Sequence, residues 1–239
     1  MRVVFIHIPK TAGTSFRVNI NDYANRNGHL LKKCFVYNGR GGSVECKNSD
    51  FPKRNLEGVA LLSGHLSYRD WMEHCEIRNG GAKFITFLRD PVERVISLYN
   101  YITSLEAHPE HDLVSATSAE DFLIERSQNL QFEYLRGEKC ENSEFVISHS
   151  GYIPQISAMV CHDVLGVNPP LHEFEERKNV TADIPKKKAK LISRNELNEA
   201  TIRKMYDSMR IDKKMFDIVS HEGILNRNIS DDFWDELSA

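Results

Sequence analysis

Apolar and polar positions fall in blocks along the chain, and the first block is residues 3–8, where Val3, Val4, Phe5, Ile6 and Ile8 surround His7 and stop at Pro9. A continuous apolar, β-branched run of this length suits a strand covered on both faces, as in a parallel sheet. The small residues Thr11-Ala12-Gly13-Thr14-Ser15 follow as a tight turn, and Phe16, Ile20 and Tyr23 then recur at helical spacing. The pattern predicts strand, tight loop, helix. A second apolar run, 59–62, ends at Ser63-Gly64-His65, and a third, 83–88, ends at Arg89-Asp90-Pro91. After the third run Asp90 can cap a helix with Pro91 at its first position and Glu93 reaching back, while Val92, Val95, Ile96 and Tyr99 supply an apolar face.

Further along, 119–126 reads as helical after Ser118, and Ile202, Met205, Tyr206 and Met209 sit on one face of a helix over 196–210. The stretches 38–55 and 107–118 are polar and predict surface loops, and Pro185-Lys186-Lys187-Lys188 is a local basic knot. No internal repeat is visible. Strands alternating with helices indicate an α/β sheet with ligands at the carboxyl ends of its strands. Three polar segments fall at such ends, Lys10 to Ser15, His65, and Arg89 to Ser97, so one site built from all three is expected.

With 239 residues, 41% hydrophobic and 27% charged, the chain has a globular balance that excludes collagen-like or wholly disordered classes and suits one domain over 1–239. The formal charge of -3 gives no global attraction to nucleic acid or anionic membrane, so any anion site must be local. No apolar run approaches the length of a membrane span and the start lacks a signal-peptide layout, which reads as cytoplasmic. Cys34, Cys46, Cys75, Cys140 and Cys161 are odd in number with no C-x-x-C pair, so free thiols are expected and no cysteine metal site.

The first loop carries the chemistry. Backbone N–H groups at a strand-loop-helix junction, aided by the helix dipole, can bind a phosphate; Gly13 allows close approach, Lys10 adds a cation, and Thr14 and Ser15 add hydroxyls. It is not a Walker loop, because Lys10 precedes Gly13 by three residues instead of following a glycine. The plainer alternative is a turn with a solvated lysine.

Pro9-Lys10-Thr11-Ala12-Gly13-Thr14-Ser15 resembles the P-K-T-x-[GS]-T-[ST] loop of sulfotransferases that use 3'-phosphoadenosine 5'-phosphosulfate, particularly carbohydrate O-sulfotransferases of the heparan sulfate 2-O and 6-O type and their bacterial relatives. In that family the loop holds the 5'-phosphosulfate, which implies donor contacts from Lys10, Thr11, Ala12, Gly13, Thr14 and Ser15. A second signature, Arg-x7-Ser, binds the 3'-phosphate and is present as Arg89 to Ser97. Ser97 lies seven residues after Asp90, about two helical turns at roughly 100° per residue, so it returns to the side of Arg89. Without the resemblance, Arg89 could equally pair with Asp90 or Glu93 and Ser97 be a surface serine.

Leu62-Ser63-Gly64-His65-Leu66-Ser67-Tyr68 is similar to the Gly-His segment of the 2-O enzymes, where histidine is the general base, and an imidazole suits accepting a hydroxyl proton near neutral pH. The rival is His7, which reads as part of a buried strand, and the alternative for His65 is a structural histidine. Looser matches are Asn129-Leu130-Gln131-Phe132-Glu133-Tyr134-Leu135-Arg136-Gly137, like a segment near the nucleotide, and Arg177-Lys178-Asn179-Val180-Thr181, like a later loop.

The resemblance implies an α/β fold with a P-loop-like parallel sheet flanked by helices and a mainly helical C-terminal half. It implies transfer of a sulfuryl group from 3'-phosphoadenosine 5'-phosphosulfate to a hydroxyl of a saccharide or glycan precursor, with His65 and Lys10 catalytic and no metal required. The expected partner is that acceptor, with no nucleic acid. A nucleotide-dependent kinase on the same architecture, or a non-catalytic nucleotide or glycan binder, are the competing classes.

Overall fold

Strand β1 (Arg2–Ile6) is the centre of the molecule, and its buried run of Val3, Val4, Phe5 and Ile6 explains why. A strand apolar on both faces is stable only with sheet neighbours on both edges and helices over both surfaces. The computed structural model, which describes residues 2–37, 46–47, 51, 53–137, 143–174, 191–227, 234 and 237, shows both. Among those residues the sheet has seven strands in the order β3-β2-β4-β1-β5-β6-β7. The others are β2 (Lys33–Tyr37), β3 (Cys46–Lys47), β4 (Leu61–Gly64), β5 (Ala82–Leu88), β6 (Glu144–His149) and β7 (Ile224–Arg227). All pair in parallel except β7, which runs antiparallel along β6.

Register places the site. Ile6 of β1 is level with Gly64 of β4, and Phe5 with Ile85 of β5, so the carboxyl ends of three adjacent strands open on one edge of the sheet. The chain passes from β4 to β5 across β1, the kind of switch in strand order that leaves a crevice at such an edge.

One face of the sheet buries Val4, Ile6, Leu62, Phe84 and Ile147 against residues such as Tyr68, Trp71, Leu135 and Met215. These belong to α2 (Tyr68–Met72), α7 (Leu130–Leu135) and α10 (Arg210–Glu222), and α3 (Cys75–Gly80) adds Ile77 to the same core. The opposite face buries Val3, Phe5, Ile85 and Phe87 under Phe16 and Ile20 of α1 (Gly13–Arg26) and Ile156 and Val160 of α8 (Ile153–Leu165). A third cluster joins α4 (Pro91–Ser104), α5 (His111–Ala116), α6 (Ala119–Glu125) and α9 (Glu199–Ser208) through Val92, Val95, Val114, Phe122 and Met205. The fold is therefore α/β, a mostly parallel sheet flanked by helices with a largely helical C-terminal half.

Several expected elements shift. The run at 59–62 becomes a strand only from Leu61, because Ala60 still belongs to the approach, its N–H bonded to the Lys32 carbonyl at 2.9 Å. Within 107–118 the structure forms α5, anchored by the single buried side chain Val114. Within 38–55, Cys46 and Lys47 join the sheet and Phe51 is buried edge-on against Trp71 at 4.9 Å, so neither stretch is purely surface loop. The helix expected over 196–210 starts at Glu199, where the Asn198 side chain accepts the Thr201 N–H at 2.8 Å. Asp90 caps α4 at the Glu93 N–H as expected, but the Glu93 carboxylate turns to Arg89, 3.5 Å away, instead of reaching back to the cap. Cys34, Cys75 and Cys161 are free thiols. The basic knot at 185–188 and the loop at 177–181 lie outside the described residues.

Candidate active site

Two residues of the first loop, Lys10 at φ 71° and Ala12 at φ 75°, hold the left-handed conformation without being glycine. Such conformations cost energy and persist where the surroundings impose them, commonly at ligand clamps. What imposes them is below the loop. The Thr11 hydroxyl is buried and donates to the Ile8 carbonyl at 2.9 Å, so Thr11 can offer a ligand only its backbone. Gly13 lies on the His7 ring so closely that a Cβ there would fall 2.3 Å from Cδ2 and 2.8 Å from Phe5 Cε1.

Ala12 precedes α1 with no side chain capping the helix and no acidic residue in the first turn. The positive end of a 14-residue helix is thus neither capped nor neutralised by its own sequence, which fits an anion. Thr14 is exposed at that end and Ser15 is buried.

His65 follows β4. Its Nδ1 lies 2.6 Å from the His7 carbonyl oxygen, and the two imidazoles stack at 4.3 Å. A carbonyl only accepts, so Nδ1 carries the proton and the lone pair sits on Nε2. Burial is the main cause holding the His65 pKa below the usual 6.5, with the bond to His7 opposing it and the Arg17 charge adding to it. The ring is therefore neutral at physiological pH, as a base must be. His7 is buried, and burial, then the charges of His65, Arg17 and Lys10, drive its pKa well below 6.5. The rival histidine supports the loop from beneath, one residue past the strand to which the sequence assigned it.

Arg89 follows β5 and ties the second segment to the first, its Nη1 donating to the Lys10 carbonyl at 3.4 Å. It also meets Glu93 at 3.5 Å, the pairing that was the alternative to an anion role. Such a half-exposed pair contributes little and leaves the guanidinium able to turn to a phosphate. Ser97 is half-buried two turns into α4. One turn further, the Tyr101 ring carries Lys10 Nζ 4.1 Å from its centroid, so the loop lysine lies across the same helix. The three sequence segments thus meet at one edge of the sheet.

Sequence reasoning missed Arg17, which lies on α1 one turn after Gly13, stacks on Phe35 at 4.4 Å and depresses both histidines. A cation one helical turn past the loop was the available signal. Tyr101 was also missed, while within the 129–137 segment that the sequence singled out it is the Gln131 side-chain amide that grips the Arg89 backbone.

Residues 1–146, which include all three segments, match the family model described as "Sulfotransferase family". The chain belongs to the sulfotransferase family. No curated protein and no solved structure matches it. As a sulfotransferase it has sulfuryl transfer as its general chemistry, and the family generally draws the group from 3'-phosphoadenosine 5'-phosphosulfate. Among the described residues no helix of this sulfotransferase is long and apolar enough to cross a membrane, and no three His, Cys, Asp or Glu side chains are grouped to hold a metal.

Proposed function

We propose that this sulfotransferase moves a sulfuryl group from 3'-phosphoadenosine 5'-phosphosulfate to a hydroxyl of a saccharide or glycan precursor, by in-line displacement with His65 as base. The observation that carries the reading is the meeting of a strained loop at an uncapped helix start, a neutral histidine with its lone pair on Nε2, and an arginine bonded to the loop's own backbone. The donor supplies an activated sulfuryl group with a phosphate leaving group. The loop residues 10–15 would hold the 5' end through backbone N–H groups and Lys10, and Arg89 with Ser97 would hold the 3'-phosphate. His65 Nε2 takes the hydroxyl proton as the acceptor oxygen bonds to sulfur, and the breaking S–O bond leaves its electrons on the 5'-phosphate, where Lys10 and the loop N–H groups stabilise the charge.

Residues 1–239 act as one domain in this proposal, supported by β7 and α10 completing the sheet and one of its cores. Calorimetry tests the donor assignment. Adenosine 3',5'-bisphosphate should bind far better than AMP, and Arg89→Ala should erase the difference, a weakening of about 1.5–3 kcal/mol for a charge-assisted hydrogen bond. Equal affinity of the wild type for both nucleotides would remove the basis of the Arg89 role.

A further inference from the structure

Arg89 leaves the sheet at the end of β5, where a strand normally loses its hydrogen-bonding partners. Here both of its backbone groups are held by one side chain. The Arg89 N–H donates to Gln131 Oε1 at 2.9 Å, and Gln131 Nε2 donates to the Arg89 carbonyl at 2.9 Å. Gln131 is wholly buried on α7 and cannot swing away without leaving those groups unpaired.

Gln131 is gripped in turn. Its own N–H and that of Phe132 both end on the carboxylate of Asp212, at 3.0 and 2.8 Å. Asp212 belongs to α10 and has no exposed surface, and the loop before α7 holds it in place: Asn129 Oδ1 accepts the N–H groups of Ile211 and Asp212 at 3.0 and 3.1 Å. Residues 129–132 and 211–212 thus clasp each other through four hydrogen bonds, and the Gln131 amide extends the clasp to Arg89. Burying a carboxylate is expensive, and apolar packing would join α7 to α10 at least as stably. What a polar clasp adds is directional hydrogen bonding, and the backbone held at its end is that of Arg89. Asp212 also feels the charge of Arg94, which is buried on α4.

We infer that Gln131 and Asp212 are positioning residues that aim Arg89 at the 3'-phosphate of the nucleotide. The inference rests on the donor reading above and adds a C-terminal residue to the site, since Asp212 lies beyond the 1–146 match.

The experiment compares adenosine 3',5'-bisphosphate with AMP by calorimetry for wild type, Gln131→Leu and Asp212→Asn, with a thermal melt on each. Gln131→Leu should lower the affinity for the bisphosphate by about tenfold, the scale of one Arg89–phosphate hydrogen bond lost through misaiming, while AMP binding changes less than about twofold. Asp212→Asn, which keeps one acceptor oxygen and its shape, should move the ratio the same way by a smaller factor and serves if Gln131→Leu does not fold. A general loosening of the fold would weaken both nucleotides together and overturn the inference. So would a wild-type ratio in a variant that melts cooperatively. Equal binding of both nucleotides by the wild type would instead sink the donor reading, and this inference with it.

Discussion

Replacing Gly13 by alanine separates a ligand-shaped loop from an ordinary helix start. Gly13 opens α1 and has no unusual φ, so at an open site Gly→Ala would stabilise the helix by up to about 1 kcal/mol. Here the new methyl would sit 2.3 Å from His7 Cδ2, 2.7 Å from His7 Nε2 and 2.8 Å from Phe5 Cε1. Neither ring has room to retreat: His7 stacks on His65 at 4.3 Å, and Phe5 packs on Phe16 at 4.6 Å and on Phe87 at 5.8 Å. The methyl must therefore lift the loop or push the rings, an overpacking cost of about 1–3 kcal/mol. For a chain of this size that is a fall in Tm of about 2–12 °C. Thermal melts and calorimetry with adenosine 3',5'-bisphosphate together read it, with both stability and affinity expected to fall. A variant as stable as wild type or more so, binding the nucleotide normally, would refute the claim that close approach over His7 shapes the loop.

On the proposed mechanism Lys10 would meet more charge in the transition state than in the bound donor, so Lys10→Ala should lower kcat more than it weakens donor binding; weaker affinity at unchanged kcat would make it a binding residue only. His7→Gln should flatten the acid limb of stability. Folded His7 refuses a proton that the unfolded chain accepts near pH 6.5, so wild-type stability falls as pH drops below that value, by up to about 1.4 kcal/mol per pH unit for one proton. Urea melts at pH 7, 6 and 5 should show the slope reduced in the variant, and an unchanged slope would mean His7 is not the group that resists protonation.

The site's outline was readable because strand ends announce themselves. Each of the three apolar runs gives way within two residues to a polar segment, and parallel pairing then aligns those segments on one edge, as Ile6 level with Gly64 shows. The loop's shape was hidden, since nothing in lysine or alanine foretells the left-handed backbone of Lys10 and Ala12, which the packing beneath imposes. Strand β6 was missed because Phe145, Val146 and Ile147 form too short a run to stand out, and β7 is an edge strand finished by polar residues. The Gln131 and Asp212 pairing joins residues 81 positions apart, where no local pattern reaches. Glu93 misled the capping assignment because a nearby guanidinium competes for its carboxylate.

The most direct measurement of the central claim is sulfuryl transfer from 3'-phosphoadenosine 5'-phosphosulfate to a panel of saccharides, by wild type and His65→Ala, followed across pH. Transfer should require the donor, and in the wild type kcat should rise with pH through one ionisation below 6.5, because burial lowers the His65 pKa and only the neutral ring accepts the proton. His65→Ala should lose about 10²- to 10⁴-fold in kcat while binding adenosine 3',5'-bisphosphate as before. Near-native transfer by His65→Ala, or ATP turnover with magnesium in place of any sulfuryl transfer, would contradict the account.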